Sequence, residues 1–367
     1  MSKINGARMH WILVYFYVFD VSFGLALLLT PIFKRLSVRY GCVDQPNLER
    51  KIHTQAMPLL GGVAVFGAFA LNVVSNYFLI ILAAAHLDLP EDLSIHVAGM
   101  LSVWPKLLVL LGGGLLMVVL GVYDDRHDLR ARPKLLGQIG IALLVALSGM
   151  RVTLFLHNPI ASIVLTVVWI VTITNAMNFL DNMDGLCAGI GLVCALLFAL
   201  IAGIQHQYFV CVIGLALAGA LLGFLPHNFK PATIFLGDAG SHFIGYMLAV
   251  LPVLGTFYRQ GTPTHLPVLI PLLVLAVPLF DLVMVSWIRI RHGQPVYIGD
   301  VNHLSHRLVR VGLPQSWAVT LIYLITLTLG LGATILLWSE LTGAVIVIIQ
   351  ALCILAIVTL LERLGSK

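Results

Sequence analysis

Apolar runs of about 20 residues recur along almost the whole chain, each long enough to carry a helix across ~30 Å of hydrocarbon at ~1.5 Å per residue. A water-soluble core cannot absorb so many. In lipid, backbone N–H and C=O groups must be paired within the crossing segment, so the runs predict an all-α fold, a polytopic integral membrane helix bundle. Eleven spans are expected, at approximately 11–31, 58–85, 105–123, 134–150, 160–177, 185–204, 208–227, 236–255, 267–288, 316–337 and 341–361. Composition agrees: 60% of the 367 residues are hydrophobic and 10% charged, against about 25% charged in an ordinary soluble domain. The first run lacks the short apolar region and small-residue cleavage site of a signal peptide, so it is expected to stay as a helix. With no Gly/Ser linker or large polar stretch between runs, a single transmembrane domain over 1–367 is expected.

Basic residues alternate with the spans. Of 21 Lys and Arg, all but Lys3, Arg8, Lys106, Arg151 and Arg259 follow spans 1, 3, 5, 7 and 9 or lie at the C-terminus. By the positive-inside rule the N-terminus is outside and the C-terminus cytoplasmic. The same bias, with attraction to anionic headgroups, accounts for the net charge of +5 without a nucleic-acid partner. Cys42, Cys187, Cys194, Cys211 and Cys353 show neither C-x-x-C nor His-linked spacing and read as packing residues.

The polar residues that remain gather at one side. Asp124 and Asp125 follow span 3, Asp181 and Asp184 span 5, Asp238 span 7, and His303 and His306 span 9. Odd-numbered connections share a membrane face by topology alone, so these groups can form one site. The pair Asp124-Asp125 offers hard oxygen ligands to Mg²⁺ or a base of raised pKa, though alone it is equally a solvated loop. Asn175, Asn178 and Asp181 recur every three residues and line one helical face, a pattern that capping by Asp181 or Asn182 explains only in part. Asp238 sits between Gly237 and Gly240 ahead of an apolar helix, where a phosphate can approach the backbone; an ordinary N-capped turn looks the same. His303 and His306 share a face if their segment is helical, and could hold a phosphate, a sugar hydroxyl or a metal. Zinc is disfavoured, since no Cys or close H-x-x-x-H completes a ligand set. Lys51 and His53, ahead of Pro58 and the Gly61-Gly62 pair, could neutralise a diphosphate, although topology alone explains Lys51. Asp20 and Asp281 fall inside spans, where a charge is costly and a functional or paired role is the default.

In order, spacing and position relative to the spans, these segments resemble the polyprenyl-phosphate N-acetylhexosamine-1-phosphate transferases (glycosyltransferase 4 type) over roughly residues 40–315. Asp44-Gln-Pro-Asn47, Asp124-Asp125, Asn175 to Gly185, Gly237-Asp238-Ala-Gly240-Ser241, and Pro278-Leu-Phe-Asp281 with Arg289 and Arg291 carry the resemblance. It is nearest the UDP-GlcNAc:undecaprenyl-phosphate transferases that begin O-antigen, enterobacterial common antigen or teichoic acid synthesis. The resemblance implies an enzyme of the bacterial cytoplasmic membrane with its site facing the cytoplasm. It would move an N-acetylhexosamine-1-phosphate, foremost GlcNAc-1-phosphate, from the UDP-sugar to undecaprenyl phosphate and release UMP. Mg²⁺ is the implied cofactor, with Mn²⁺ an alternative. UDP-N-acetylhexosamine, polyprenyl phosphate and membrane lipids are the implied partners, and a homodimer is possible.

Carried over residue by residue, Asp124, Asp125 and Asp238 are metal ligands and, with His303 and His306, the catalytic set; the first two could instead face the lipid phosphate. Lys51, His53, Asn178, Asp181, Asp184, Arg289 and Arg291 bind substrate, with Asn178, Asp181 and Asp184 on the nucleotide side. Two positions depart from the family pattern. Asn182 stands where relatives often have glycine, and Ser305 replaces the middle histidine of H-x-H-H. Consecutive histidines mark the phospho-MurNAc-pentapeptide transferases, the alternative branch. A secondary transporter, the rival from another class, would need its polar residues at mid-bilayer depth rather than at span ends.

Overall fold

The computed structural model describes residues 2–45, 56–86, 91–153, 158–257, 264–295 and 302–364. Its helices are α1 (Ser2–Arg39), α2 (Gly61–His86), α3 (Glu91–Ser102), α4 (Trp104–His127), α5 (Ala131–Leu147), α6 (Pro159–Leu180), α7 (Leu186–Ile204), α8 (Tyr208–Asn228), α9 (Gly237–Leu254), α10 (Ile270–Val274), α11 (Ala276–Arg291), α12 (Leu304–Arg310), α13 (Gln315–Ile335) and α14 (Leu341–Leu364). A 3₁₀ turn, Leu266–Leu269, leads into α10. Two short strands, β1 (Val43–Asp44) and β2 (Met57–Pro58), pair antiparallel, Val43 opposite Pro58.

The bundle is built for lipid. Leu13, Phe16, Leu82, Leu144, Ile160, Trp317 and Leu352 point outward and are exposed, more apolar surface than water tolerates on a monomer. Eight described helices are long and apolar enough to cross alone: His10–Arg39 of α1, α2, α4, α6, α7, α8, α13, and Leu341–Leu361 of α14. A ninth crossing exists if Leu266–Val274 and Ala276–Arg291, bent by 68°, act as one. All eleven expected segments are helical, but two fall short of independent spans. The 134–150 segment forms α5, 17 residues long, about 26 Å. The 236–255 segment forms α9, which carries Asp238 and His242 and is shielded from lipid by protein.

Sequence fixes the local breaks. Pro278 has no N–H for the carbonyl of Val274, four residues back, and the bend falls there. The freed oxygen accepts from Cys194 Sγ at 3.4 Å. At the start of α6, Asn158 accepts from the backbone N–H of Ile160 (2.9 Å) and Ala161 (3.3 Å), with Pro159 at the first helical position.

Helix α9 is the centre of the molecule. It is buried along nearly its whole length and packs on α2, α4, α6 and α7. Small residues permit this: a Cβ on Gly121 of α4 would lie 2.3 Å from Ala239 Cα, so the two backbones are in contact. Two of these helices, α2 and α4, press on one end of α9, where Gly62 lies against Gly240 and Gly121 against Ala239.

Candidate active site

That end is the first turn of α9, and side chains from three other helices close over it. Gly237 opens the helix at φ +71°, where a Cβ would also strike Asp125 Oδ2 at 2.7 Å. The space is needed because Asp125 caps α9 from outside. Its carboxylate accepts from the backbone N–H of Asp238 (2.8 Å) and Ala239 (3.3 Å), placing a negative charge on the positive end of the helix.

Asp124, on the next position of α4, faces the opposite way. One oxygen accepts from Leu129 N–H at 2.8 Å, and the other lies 2.7 Å from Lys134 Nζ. Lys134 is also 2.7 Å from Asp238 Oδ2 and 3.2 Å from Asn178 Oδ1. Asn178 in turn donates to Asp238 Oδ1 (2.5 Å) and Ser241 Oγ (2.9 Å). One helical turn deeper the pattern repeats. Asn175 donates to Gln138 Oε1 at 2.6 Å, and Gln138 Nε2 is 3.3 Å from His242 Nε2. Residues 134 and 138 of α5 thus face 238 and 242 of α9 in two rungs, with Asn178 and Asn175 of α6 closing each. The i, i+4 and i, i+3 spacings put each pair on one helix face.

A second cluster adjoins the first through the C-terminal end of α6. Arg289, 2% exposed, holds its guanidinium 4.9 Å from the centre of the Phe179 ring. The His303 ring meets Phe179 edge-on at 5.7 Å, and His306 lies 6.5 Å beyond. Buried Asp281 accepts from the Leu304 N–H at 2.7 Å, with His303 Nδ1 also 2.7 Å away, so this intraspan carboxylate holds the start of α12. Ser305 Oγ donates to Asn182 Oδ1 at 2.6 Å. The two departures from the family pattern are therefore bonded to each other.

Between the clusters runs the turn 181–185. Asp184 accepts from Ala232 N–H at 3.1 Å and Gly185 N–H donates to Asn228 Oδ1 at 3.1 Å, pinning the turn to the segment before α9. Asp181 ends α6. Burial, reinforced by the carboxylates of Asp238, Asp125 and Asp184, holds its pKa well above the usual carboxylate range.

Of the residues expected from sequence, Asp124, Asp125, Asn178, Asp181 and Asp238 come together in the first cluster, and Arg289, His303 and His306 in the second. Asp184 supports the turn joining them. Arg291 diverges: two positions from Arg289, it is exposed and lies 5.7 Å from the Trp287 ring. Lys51 and His53 lie outside the described residues. Asp20 is exposed on α1. Sequence reasoning missed Lys134, Gln138 and His242. Lys134 was absorbed into the topology bias; Asp238-x-x-x-His242 and Lys134-x-x-x-Gln138 are the spacings that could have flagged all three.

A divalent cation fits this donor set. Asp124, Asp238 and His242 each offer one ligand atom, all within 4.8 Å of one another. The Lys134 ammonium already lies between the two carboxylates, marking where positive charge is required.

Residues 107–256 match the family model described as glycosyl transferase family 4. The chain is 33% identical over 326 residues to the probable undecaprenyl-phosphate N-acetylglucosaminyl 1-phosphate transferase of Bacillus subtilis, covering 87% of this chain and 84% of that one. It is 34% identical over 355 residues to the decaprenyl-phosphate N-acetylglucosaminephosphotransferase of Mycolicibacterium smegmatis, covering 90% and 84%. Identity is 25% over 308 residues to the undecaprenyl-phosphate alpha-N-acetylglucosaminyl 1-phosphate transferase of Escherichia coli, covering 79% and 75%.

Proposed function

Since the chain belongs to glycosyl transferase family 4, the polyprenyl-phosphate N-acetylhexosamine-1-phosphate transferases, and is a multi-pass membrane sugar-phosphate transferase, we propose that it transfers GlcNAc-1-phosphate from UDP-GlcNAc to undecaprenyl phosphate. The observation that carries this is the Asp124–Lys134–Asp238–Asn178 cluster, in which four helices bring acid, base and amide groups to one end of the bundle. Residues 1–367 act as one catalytic domain in the bacterial inner membrane. The site faces the cytoplasm, where the positive-inside rule puts the basic connections.

An oxygen of the lipid phosphate attacks the β-phosphorus of UDP-GlcNAc. The bond from that phosphorus to the bridging oxygen breaks, and UMP leaves. Asp124, at the end of α4, takes the proton if the lipid phosphate arrives monoprotonated. Lys134, held between Asp124 and Asp238, reduces the repulsion between two anionic substrates. Asn178 and Ser241 fix the Asp238 carboxylate, and Asp125 fixes the helix that carries it. Mg²⁺ held by Asp124 and Asp238 would neutralise the donor diphosphate and the departing UMP. Arg289, His303 and His306 contact the sugar-phosphate side, and the 181–185 turn the nucleotide. The Ser305–Asn182 bond ties α12 to that turn, and Ser305 in place of the middle histidine supports a small sugar donor over a peptide-bearing one.

Purified protein is assayed with radiolabelled UDP-GlcNAc, UDP-GalNAc and UDP-MurNAc-pentapeptide against undecaprenyl and decaprenyl phosphate. The expected product is a GlcNAc-labelled lipid formed with one UMP per transfer, and no product from the pentapeptide donor. Preferential use of the pentapeptide donor, or no labelled lipid from any donor, overturns the proposal.

A further inference from the structure

We infer that Asp20 of one copy and Gln350 of a neighbouring copy hydrogen-bond within the bilayer, so that α1 of one chain docks on α14 of the next. Asp20 is the eleventh residue of the crossing His10–Arg39, and Gln350 the tenth of Leu341–Leu361. Both are exposed among side chains that face lipid, Leu13, Phe16 and Tyr17 near the one and Ile346, Ile349 and Leu352 around the other. Among the described residues neither side chain has a hydrogen bond or ion pair. A carboxylate or amide in hydrocarbon has lost its water and is costly until something replaces it. Asp20 lies about 15 Å of helix from the nearer end of its crossing, too far for so short a side chain to reach the interface.

The two residues are not neighbours within one copy. α1 packs on α8, α8 on α7, α7 on α13 and α13 on α14, which puts α1 and α14 at the two ends of that row. The same row sets their directions. Gly219 and Gly223 of α8 lie against Phe19 and Phe23, so α8 runs with α1. Gly191 meets Leu221 and Ala199 meets Gly214, so α7 runs against α8. Gly189 meets Tyr323 and Leu197 meets Gly330, so α13 runs with α7. Val347 lies beside Gly332, and Ile354 lines one cavity with Ile325, so α14 runs against α13. α14 therefore points the same way as α1. Followed through these contacts, the level of Asp20 passes near Gly219, Val193 and Thr326 and reaches α14 at Cys353, one turn from Gln350.

A second copy is the partner because it offers the complementary group at the same depth on a helix of the same direction. A carboxylate can only accept, and a side-chain amide brings two N–H donors. Close approach is open on both faces. A Cβ on Gly24, one turn beyond Asp20, would meet nothing within 4 Å, and exposed Cys353 and Ala356 follow Gln350 along α14. The contact joins unlike surfaces, so it is heterologous and repeats into a ring or a row of copies.

Cys353 is a natural reporter of this contact, exposed while the other four cysteines are buried. Gly24→Cys supplies its counterpart on α1. Membranes holding the full chain are oxidised with copper phenanthroline and analysed without reductant. Disulfide-linked dimers and longer oligomers are expected from Gly24→Cys, and none from Gly24→Cys/Cys353→Ser or from the unsubstituted chain. Adding Asp20→Leu or Gln350→Leu to Gly24→Cys should lower the yield about three- to tenfold, the range that hydrogen bonds between membrane helices supply. No cross-link from Gly24→Cys, one that survives Cys353→Ser, one formed through Cys353 alone, or a yield indifferent to both leucine substitutions overturns the inference. Energy transfer between donor- and acceptor-labelled unsubstituted copies in phospholipid vesicles needs no variant to fold. Its absence also overturns the inference.

Discussion

Replacing Lys134 with methionine keeps the aliphatic stem and removes the charge that, among the described residues, bridges Asp124 and Asp238. In the structure the ammonium is 2.7 Å from an oxygen of each, and the side chains of Lys134, Asp124 and Asp238 are 17%, 6% and 28% exposed. Removing one partner of a fully buried pair costs about 3–5 kcal/mol. Partial solvent access to Lys134 and Asp238 reduces this to about 2 kcal/mol. With an unfolding entropy of ~2.1 cal/mol/K per residue, that loss lowers the melting temperature by about 3 °C for a chain of this length. The shift is larger if the membrane helices stay partly folded, because the entropy is then smaller. Thermal unfolding in detergent with EDTA checks the loss, and repetition in Mg²⁺ or Mn²⁺ checks its origin. Two carboxylates without an ammonium should bind the cation more tightly, so the metal should raise the melting temperature of Lys134→Met by more than that of the unsubstituted protein. Transfer activity is expected to be lost in either medium. Equal melting temperatures in EDTA, or equal metal-induced increments, would refute the view that Lys134 and the cation answer the same negative charge.

Asp124→Asn should depress kcat strongly and leave UDP-sugar affinity nearly unchanged, with the defect shrinking from pH 6 to 9 as the lipid phosphate, second pKa near ~6, loses its own proton. A defect constant over that range, with weaker metal dependence, would leave Asp124 as a ligand or positioning group only and remove its role as the base. Asp181→Asn should stabilise the metal-free protein while impairing transfer. The folded protein holds this carboxyl protonated above its ordinary range, so its favourable contribution is lost as pH climbs from about 3.9 to the raised value. The variant's advantage in thermal unfolding should therefore be small near pH 4 and largest near pH 8; an advantage that shrinks with rising pH contradicts the assignment. Cysteines introduced at 124–133 or 302–315 should react with membrane-impermeant reagents from the cytoplasmic side alone, and labelling from outside intact cells would reverse the proposed orientation.

Sequence alone determined the class of solvent, because long apolar runs with few charges are stable as helices only in lipid, and every expected run is helical. It also identified Asp124, Asp125, Asn178, Asp181 and Asp238 as one group, since residues ending odd-numbered spans share a face whatever the packing. What each of them does there was not legible. Asp124 and Asp125 are neighbours in sequence, yet the 100° step of a helix turns one toward Lys134 and commits the other to capping α9. Arg289 and Arg291 part in the same way. Lys134, Gln138 and His242 were hidden because a basic residue at a span end, or a lone polar residue in an apolar run, has no meaning until a partner helix faces it. Packing also decided what α9 could carry: an aspartate and a histidine stand in it only because α2, α4, α6 and α7 take the place of lipid around it. Hydropathy records what a segment contains, whereas the surroundings of α9 depend on the glycine contacts that let those helices close in.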